Sequence, residues 1–250
     1  MEKTPQPKDL PAPNDALVDM RDRIKSLALD LLIQHGYRGM SFGDLAEVLQ
    51  TTRANIHYHF GNKETLVEEV LEDYVDITSA QLHAIWTKFD ASFFDKIQST
   101  VEYSRKRHSR YNDPGSPARP WSLIARMRQD SDALTPKGRA LLQRFGKDLH
   151  ASIAAAIENA KAKHELDEAT PTEDVALQLV SIANSAGPIT QDAGTFDRLE
   201  HLYMAFARIV TVAFGCKKAG AAKSALRGKA KQRTVKRERA PVRQRRRKTI

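Results

Sequence analysis

Five side chains able to bond a nucleic acid crowd into one short run. The run is Arg53-Ala54-Asn55-Ile56-His57-Tyr58-His59-Phe60, with Lys63 three residues further on. Arginine can donate two hydrogen bonds to guanine and asparagine can pair with adenine in a major groove. Hydroxyl, imidazole and ammonium groups suit phosphate oxygens, which fix register without reading sequence. Wound as a helix, the run places Ile56 and Phe60 four apart and facing inward, and the polar residues are left to face elsewhere. Arg53, Ala54, Asn55 and His57 are therefore assigned to base edges. Ala54 is included because its small size permits close approach and contact with a thymine methyl. Ser41, Thr52, Tyr58, His59 and Lys63 are assigned to phosphates. Lys63 also stands at a helix N-terminus, where backbone N–H groups favour an anion.

The elements that must hold these groups are legible upstream and downstream. Ser41 followed by Asp44 is a capping-box pattern, and Leu45, Ala46 and Leu49 give the helix it opens one apolar face. Thr52 is a natural N-cap for the next helix, and Asn62 for the one after, where Leu66, Val67, Val70, Leu71 and Tyr74 keep a helical rhythm. An earlier helix is expected from Asp15 to His35, carried by Leu17, Met20, Ile24, Leu27, Ala28, Leu31 and Leu32. Gly36 should end it as a left-handed C-cap residue. Two short helices joined by a tight turn, the second one polar and basic, make a helix-turn-helix.

Residues 24 to about 74 resemble the DNA-binding domain of the TetR family of bacterial transcriptional regulators. The resemblance rests on Gly36-Tyr37, Ser41, Leu45-Ala46, Thr51-Thr52-Arg53, Ile56, Tyr58-His59-Phe60, Lys63 and Leu66. It covers about a fifth of the chain by motif. The family usually has Gly in the turn at position 50, where this chain has Gln50, and often Tyr where His57 stands. The resemblance implies an all-α fold of about nine helices, with a three-helix DNA-binding head and a helical body that binds a ligand and dimerises. The implied organisation is a disordered arm at 1–14, a head at 15–62, a body at 63–215 reached through the helix that starts at 63, and a basic disordered tail at 216–250.

Composition agrees with a DNA-binding regulator and argues against catalysis. Residues 217–250 hold fifteen Lys or Arg against the single acid Glu238, so the +9 net charge belongs to the tail and residues 1–216 carry −5. Such a charge run is not expected to fold alone, and it will bind polyanions. The first fourteen residues contain four prolines and no periodic pattern. No signal peptide or membrane span is expected, and the lone Cys216 suits a reducing cytoplasm. His57 and His59, two apart on a helix, point about 200° apart and cannot share a metal ion. No H-E-x-x-H, C-x-x-C, G-x-G-x-x-G or G-x-S-x-G occurs, so neither a cofactor nor a catalytic constellation is expected.

The rest of the chain reads as helices: Ser92 to His108 with Phe93, Phe94, Ile97 and Val101 inward, then Trp121–Gln129, then Pro136 to about Lys163. Another helix starts at Pro171 and should stop at Gly187-Pro188, and a last one spans roughly Thr195–Phe214. The final two helices carry more apolar surface than one core needs. Val175, Leu179, Ile182, Ala183 and Ala186 are expected at a homodimer interface with Leu199, Leu202, Tyr203, Phe206 and Val210. The family resemblance places an unidentified small-molecule effector inside the body. Phe94, Tyr103, Arg105, His108, Trp121, Met127 and Phe145 are the candidates for lining its site. Arg107 and Lys106 read as a solvated basic face. The expected function is a ligand-responsive regulator, a repressor, binding a two-fold operator on double-stranded DNA. The alternative is an architectural, weakly specific DNA-binding protein driven by the tail and lacking an effector.

Overall fold

The computed structural model describes residues 19–113, 115 and 117–216. The expected N-terminal arm, the first residues of the opening helix and the basic tail at 217–250 lie outside the described residues. Among those described there are ten α-helices and one isolated backbone bridge, Leu166 to Gly215. No helix among them is long and apolar enough to cross a membrane.

The head begins with α1 (Met20–Gly39), which buries Ile24, Ala28, Leu32 and Ile33. Gly36 breaks its helical path at φ 75°, ψ −178°, and one more turn follows. α2 (Phe42–Val48) starts on the Ser41–Asp44 capping box, and α3 (Arg53–Phe60) starts on Thr52, whose hydroxyl accepts from the Asn55 N–H at 3.1 Å. α4 (Lys63–Thr87) starts on Asn62, whose side-chain oxygen accepts from the Thr65 N–H at 2.8 Å. Each cap satisfies a helix-end N–H and contributes about 1 kcal/mol. Three caps within 22 residues thus pin both ends of the recognition turn.

Gln50 adopts φ 51° in the turn between α2 and α3. This is the left-handed region, where a side chain costs roughly 1–2 kcal/mol and glycine does not. It is one of the two positions at which the sequence departs from the TetR pattern. Gln50→Gly removes that strain but frees the unfolded chain, so a net gain of about 0.5–1 kcal/mol is expected. Thermal unfolding should show a midpoint raised by a few degrees. A lowered midpoint would mean that the Gln50 side chain stabilises the turn.

The body is a bundle in which α4 packs most extensively against α7 (Pro136–Ala162). α5 (Phe93–Ser109) begins on a second capping box, Ser92–Asp95, and packs on α10 (Asp197–Phe214). α7 also covers α8 (Thr172–Asn184), while the short α6 (Leu123–Gln129) lies against α1. Ion pairs bind Arg21 to Glu69 at 2.7 Å, Lys137 to Glu72 at 2.9 Å, and Arg144 to Asp76. The last two pairs join α4 to α7.

Three expectations need correction. α8 does not stop at Gly187-Pro188. It ends at Asn184, and a further helix, α9 (Ala186–Ala193), contains both residues, which makes ten helices rather than about nine. Proline is tolerated in a helix's first turn because no donor is needed there, so a stop signal and a start signal look alike. A Cβ on Gly187 would sit 2.9 Å from that of Ala125, so the glycine lets α9 approach α6. Second, Phe94 faces solvent rather than the core, because it follows the buried Phe93 directly on the helix. Third, Cys216 is still tied to the body through its N–H, which donates to the Glu165 carbonyl at 3.2 Å.

Candidate nucleic-acid interface

α3 is anchored from behind and open in front. Ile56 and Phe60 are buried, each worth roughly 1.5–3 kcal/mol of apolar transfer. The Arg21 guanidinium covers the Phe60 ring at 4.6 Å, and Phe42 meets His57 edge-on at 4.7 Å. Arg53, Ala54, His57 and Tyr58 are exposed, and Tyr58 is 84% so. Arg53 and His57 are four apart, as are Ala54 and Tyr58, so these side chains form one outward strip two residues wide.

The other assigned residues sit differently. Asn55 is half-buried on the flank of the strip, and its side-chain N–H₂ donates to the Thr51 hydroxyl at 3.0 Å. To reach a base edge Asn55 must give up that bond. His59 is half-buried against Tyr58, at 5.4 Å between ring centroids. Thr52 is exposed, but its oxygen caps α3. The Ser41 hydroxyl donates to Asp44 at 2.8 Å and accepts from the Asp44 N–H at 3.3 Å, so its proton is committed. Those Ser41 bonds are the main reason the Asp44 carboxyl titrates lower than usual. Arg53 lies over Gly43, since a Cβ there would come within 2.6 Å of Arg53 Nη2. The Lys63 ammonium sits 4.4 Å from the centre of the Tyr37 ring. Burial pulls the Lys63 pKa down, against the pull of Glu64, Asp44 and Asp130.

His57 Nδ1 lies 2.7 Å from the Gly61 carbonyl. A carbonyl only accepts, so the Nδ1 carries the proton in that bond. Nε2 of the neutral ring is then an acceptor pointing away from the turn, suited to the amino group of adenine or cytosine.

Behind the interface, the end of α1 is fastened to the residues that follow α6, while Asp30 of α1 also pairs with Arg110 and Tyr111 of the body. The Tyr37 N–H donates to Asp130 Oδ2 at 2.8 Å, and Arg38 pairs with Asp132 at 2.6 Å and Asp130 at 3.6 Å. Asp130 and Asp132 follow directly on α6. The opposite face of α6 offers Ile124 and Ala125 to a narrow cavity inside the body.

That cavity gathers Tyr103, Trp121 and Phe145 from the expected set. The other four lie elsewhere. Phe94 faces solvent, Arg105 pairs with Glu200 and Asp197 at the surface, and Met127 is buried away from the cavity lining. His108 packs between the rings of Trp121 and Phe196, where burial and then Arg105 lower its pKa. The wall also holds Trp86, Arg107, Asn184 and Tyr203, which sequence reasoning did not place there. Arg107 is not part of a solvated face. It follows Tyr103 by four residues, and that spacing put it on the inward side.

The residues expected at a dimer interface divide in two. Val175, Leu179, Ile182, Ala186, Leu199, Tyr203 and Val210 are buried within the single chain. Ala183 and Phe206 are half-buried, and Leu202 is exposed. Besides Leu202, the outward apolar residues are Leu177 on α8 and Ile209 and Val212 on α10, none of which was among those expected.

The family model described as bacterial regulatory proteins, tetR family, matches residues 24–70. The HTH-type transcriptional regulator QacR of Staphylococcus aureus is 32% identical over 54 residues, 22% of this chain and 29% of that protein. The HTH-type transcriptional regulator RutR of Escherichia coli K12 is 34% identical over 84 residues, 33% of this chain and 40% of RutR. The match therefore spans well under half of either regulator. A TetR transcriptional regulator structure from Legionella pneumophila shares the fold at a TM-score of 0.65 and 21% identity, covering 78% of this chain and 98% of its own.

Proposed function

Because the head of this chain, residues 24–70, belongs to the TetR family of bacterial regulatory proteins, we propose that the protein is a ligand-responsive repressor binding a two-fold operator as a homodimer. The observation that carries this reading is the exposed strip of Arg53, Ala54, His57 and Tyr58 on a helix capped by Thr52 and anchored by Ile56 and Phe60. In the proposed complex Arg53 leaves Gly43 and reads guanine, Ala54 meets a thymine methyl, and His57 Nε2 accepts from a base amino group. Asn55 reads adenine once it releases Thr51. Thr52, Tyr58, His59 and Lys63 hold phosphates on either side, and Ser41 joins them once its hydroxyl releases Asp44.

Two heads are needed because one makes too few contacts for useful specificity, and a two-fold protein matches half-sites spaced by helical turns. The exposed apolar row on α10, together with Leu177 on α8, supports pairing through that face. Ligand response is supported by the placement of α6. One side of it lines the cavity and its end holds the head through Asp130. An effector that fits the cavity better when α6 has shifted moves the population to a state in which the heads no longer match successive grooves. No catalytic step is assigned to any residue.

Selection of bound fragments from random DNA tests the reading directly. A two-fold consensus is expected. Enrichment of no sequence, with affinity falling steeply in salt, would instead favour an architectural protein. Against the selected operator, Arg53→Ala is expected to cost roughly 1–3 kcal/mol and to relax preference at one base pair per half-site. Fluorescence anisotropy on single-base operator variants reads this. Equal weakening on every variant would move Arg53 to the phosphate class.

A further inference from the structure

Among the residues lining the central cavity only Arg107 carries a charge. No carboxylate among the described residues pairs with it. Its guanidinium lies 4.7 Å from the Tyr74 ring centre and 5.4 Å from that of Tyr103, and its one hydrogen bond, to the Tyr103 hydroxyl, is long at 3.5 Å. Burial pulls its pKa down to about 10. A half-buried cation left without a counter-charge is costly unless something else supplies that charge.

A second donor in the same cavity is also unsatisfied. Trp86 is buried, lines the cavity, and its indole N–H has no partner among the described residues. The neighbouring Trp121 shows the contrast, since its indole N–H donates to the Thr190 hydroxyl at 2.8 Å. Tyr203, on the same wall, has its phenol pushed upward by burial alone. The rest of the lining carries no charge, with Leu82, Phe145, Leu149, Ile153 and Leu179 beside Asn184 and several hydroxyls. Thr78, Tyr103 and Arg107 also border a surface groove between α1, α4 and α5, which gives a ligand a route inward.

We propose that the effector is a small amphipathic organic monoacid, its carboxylate held by Arg107, its apolar body among Leu82, Phe145 and Leu179, and an acceptor atom on its body bonded by Trp86. This rests on the reading of the cavity as the effector site. One guanidinium in a chamber with no other charged lining residue balances one negative charge. A phosphate dianion would leave a buried charge unpaired. The planar fork of the guanidinium also matches a carboxylate through two parallel bonds.

The chain's only two tryptophans, Trp86 and Trp121, both line this cavity, so intrinsic emission reports it alone. The probes are benzoate, 3-phenylpropionate and octanoate, each titrated beside its neutral amide. The acids are expected to change the emission at concentrations at least tenfold below those of the amides. Arg107→Gln is expected to abolish that preference, and Arg107→Lys to restore part of it. Amides matching acids would overturn the monoacid while leaving the cavity as an effector site. Silence from acids and amides alike would remove both readings. An independent measurement needs no ligand: Arg107→Met is expected to raise the thermal midpoint of the free protein, because it deletes an uncompensated charge. A lowered midpoint would mark the guanidinium as a structural stacking group between Tyr74 and Tyr103, and would overturn the proposal.

Discussion

Ile209→Glu with Val212→Glu is expected to give a folded monomer whose affinity for a two-half-site operator is lower by about 100- to 10,000-fold, the usual gain from tethering two binding units. α10 has two apolar stripes. Leu199, Tyr203, Ala207 and Val210 are buried within their own chain. Leu202, Ile209 and Val212 turn away from it, with Ile209 64% and Val212 86% exposed. Across a two-fold axis every such residue is buried twice. At about 1.5–3 kcal/mol for each side chain buried, Ile209 and Val212 alone offer a large part of a stable association. The double variant places four carboxylates in that face. Neither side chain supports the monomer core, so circular dichroism should be unchanged. Sedimentation velocity at micromolar protein reads the assembly, and anisotropy on the operator reads the function. A surviving dimer would move the interface to another face. Phe206 is a poorer place to test, since it is half-buried and its replacement would damage fold and interface together.

The difference between Ile209 and Val210 shows what the sequence could and could not reveal. Both lie in an apolar run at helical spacing, and periodicity finds the stripes without saying which one meets the chain's own core. That choice depends on α5 and α8, which are remote in sequence. The caps at Ser41, Thr52 and Asn62 were legible because a cap is a local bond between residues three apart. The inward positions Ile56 and Phe60 were legible for a similar reason, since a helix so short leaves few ways to bury anything. Arg107 was not, because charged neighbours in the run Arg105-Lys106-Arg107-His108 suggest solvent, and only its register with Tyr103 argues otherwise. The break at Ser185 was hidden because Gly187-Pro188 suits a helix start as well as a helix stop.

Gly36 is a case in which the residue was legible and its reason was not. Its type announces the end of a helix, but nothing local says that Asp130 and Arg126 lie against it. At φ 75°, ψ −178° it occupies a region that is essentially glycine-only, where a side chain costs roughly 1–3 kcal/mol. A Cβ would also stand 2.4 Å from Asp130 Oδ2 and 2.7 Å from Arg126 Nε. If the carboxylate retreats, the Tyr37 N–H loses its 2.8 Å acceptor, a further cost of about 1–3 kcal/mol. Gly36→Ala is therefore expected to lower the thermal midpoint by roughly 5–20 °C. It should weaken operator binding too, because the displaced bond is one of those that set the head against the end of α6. Asp130→Ala removes the carboxylate and with it the closest clash, so Gly36→Ala should cost less in that background. A thermal-unfolding double-mutant cycle should show coupling of 1 kcal/mol or more, where independent sites add to within about 0.5 kcal/mol. Additive costs would mean that Gly36 matters only for its own backbone angle, and the fastening of head to cavity wall would have to be sought in Arg38 and Asp132 instead.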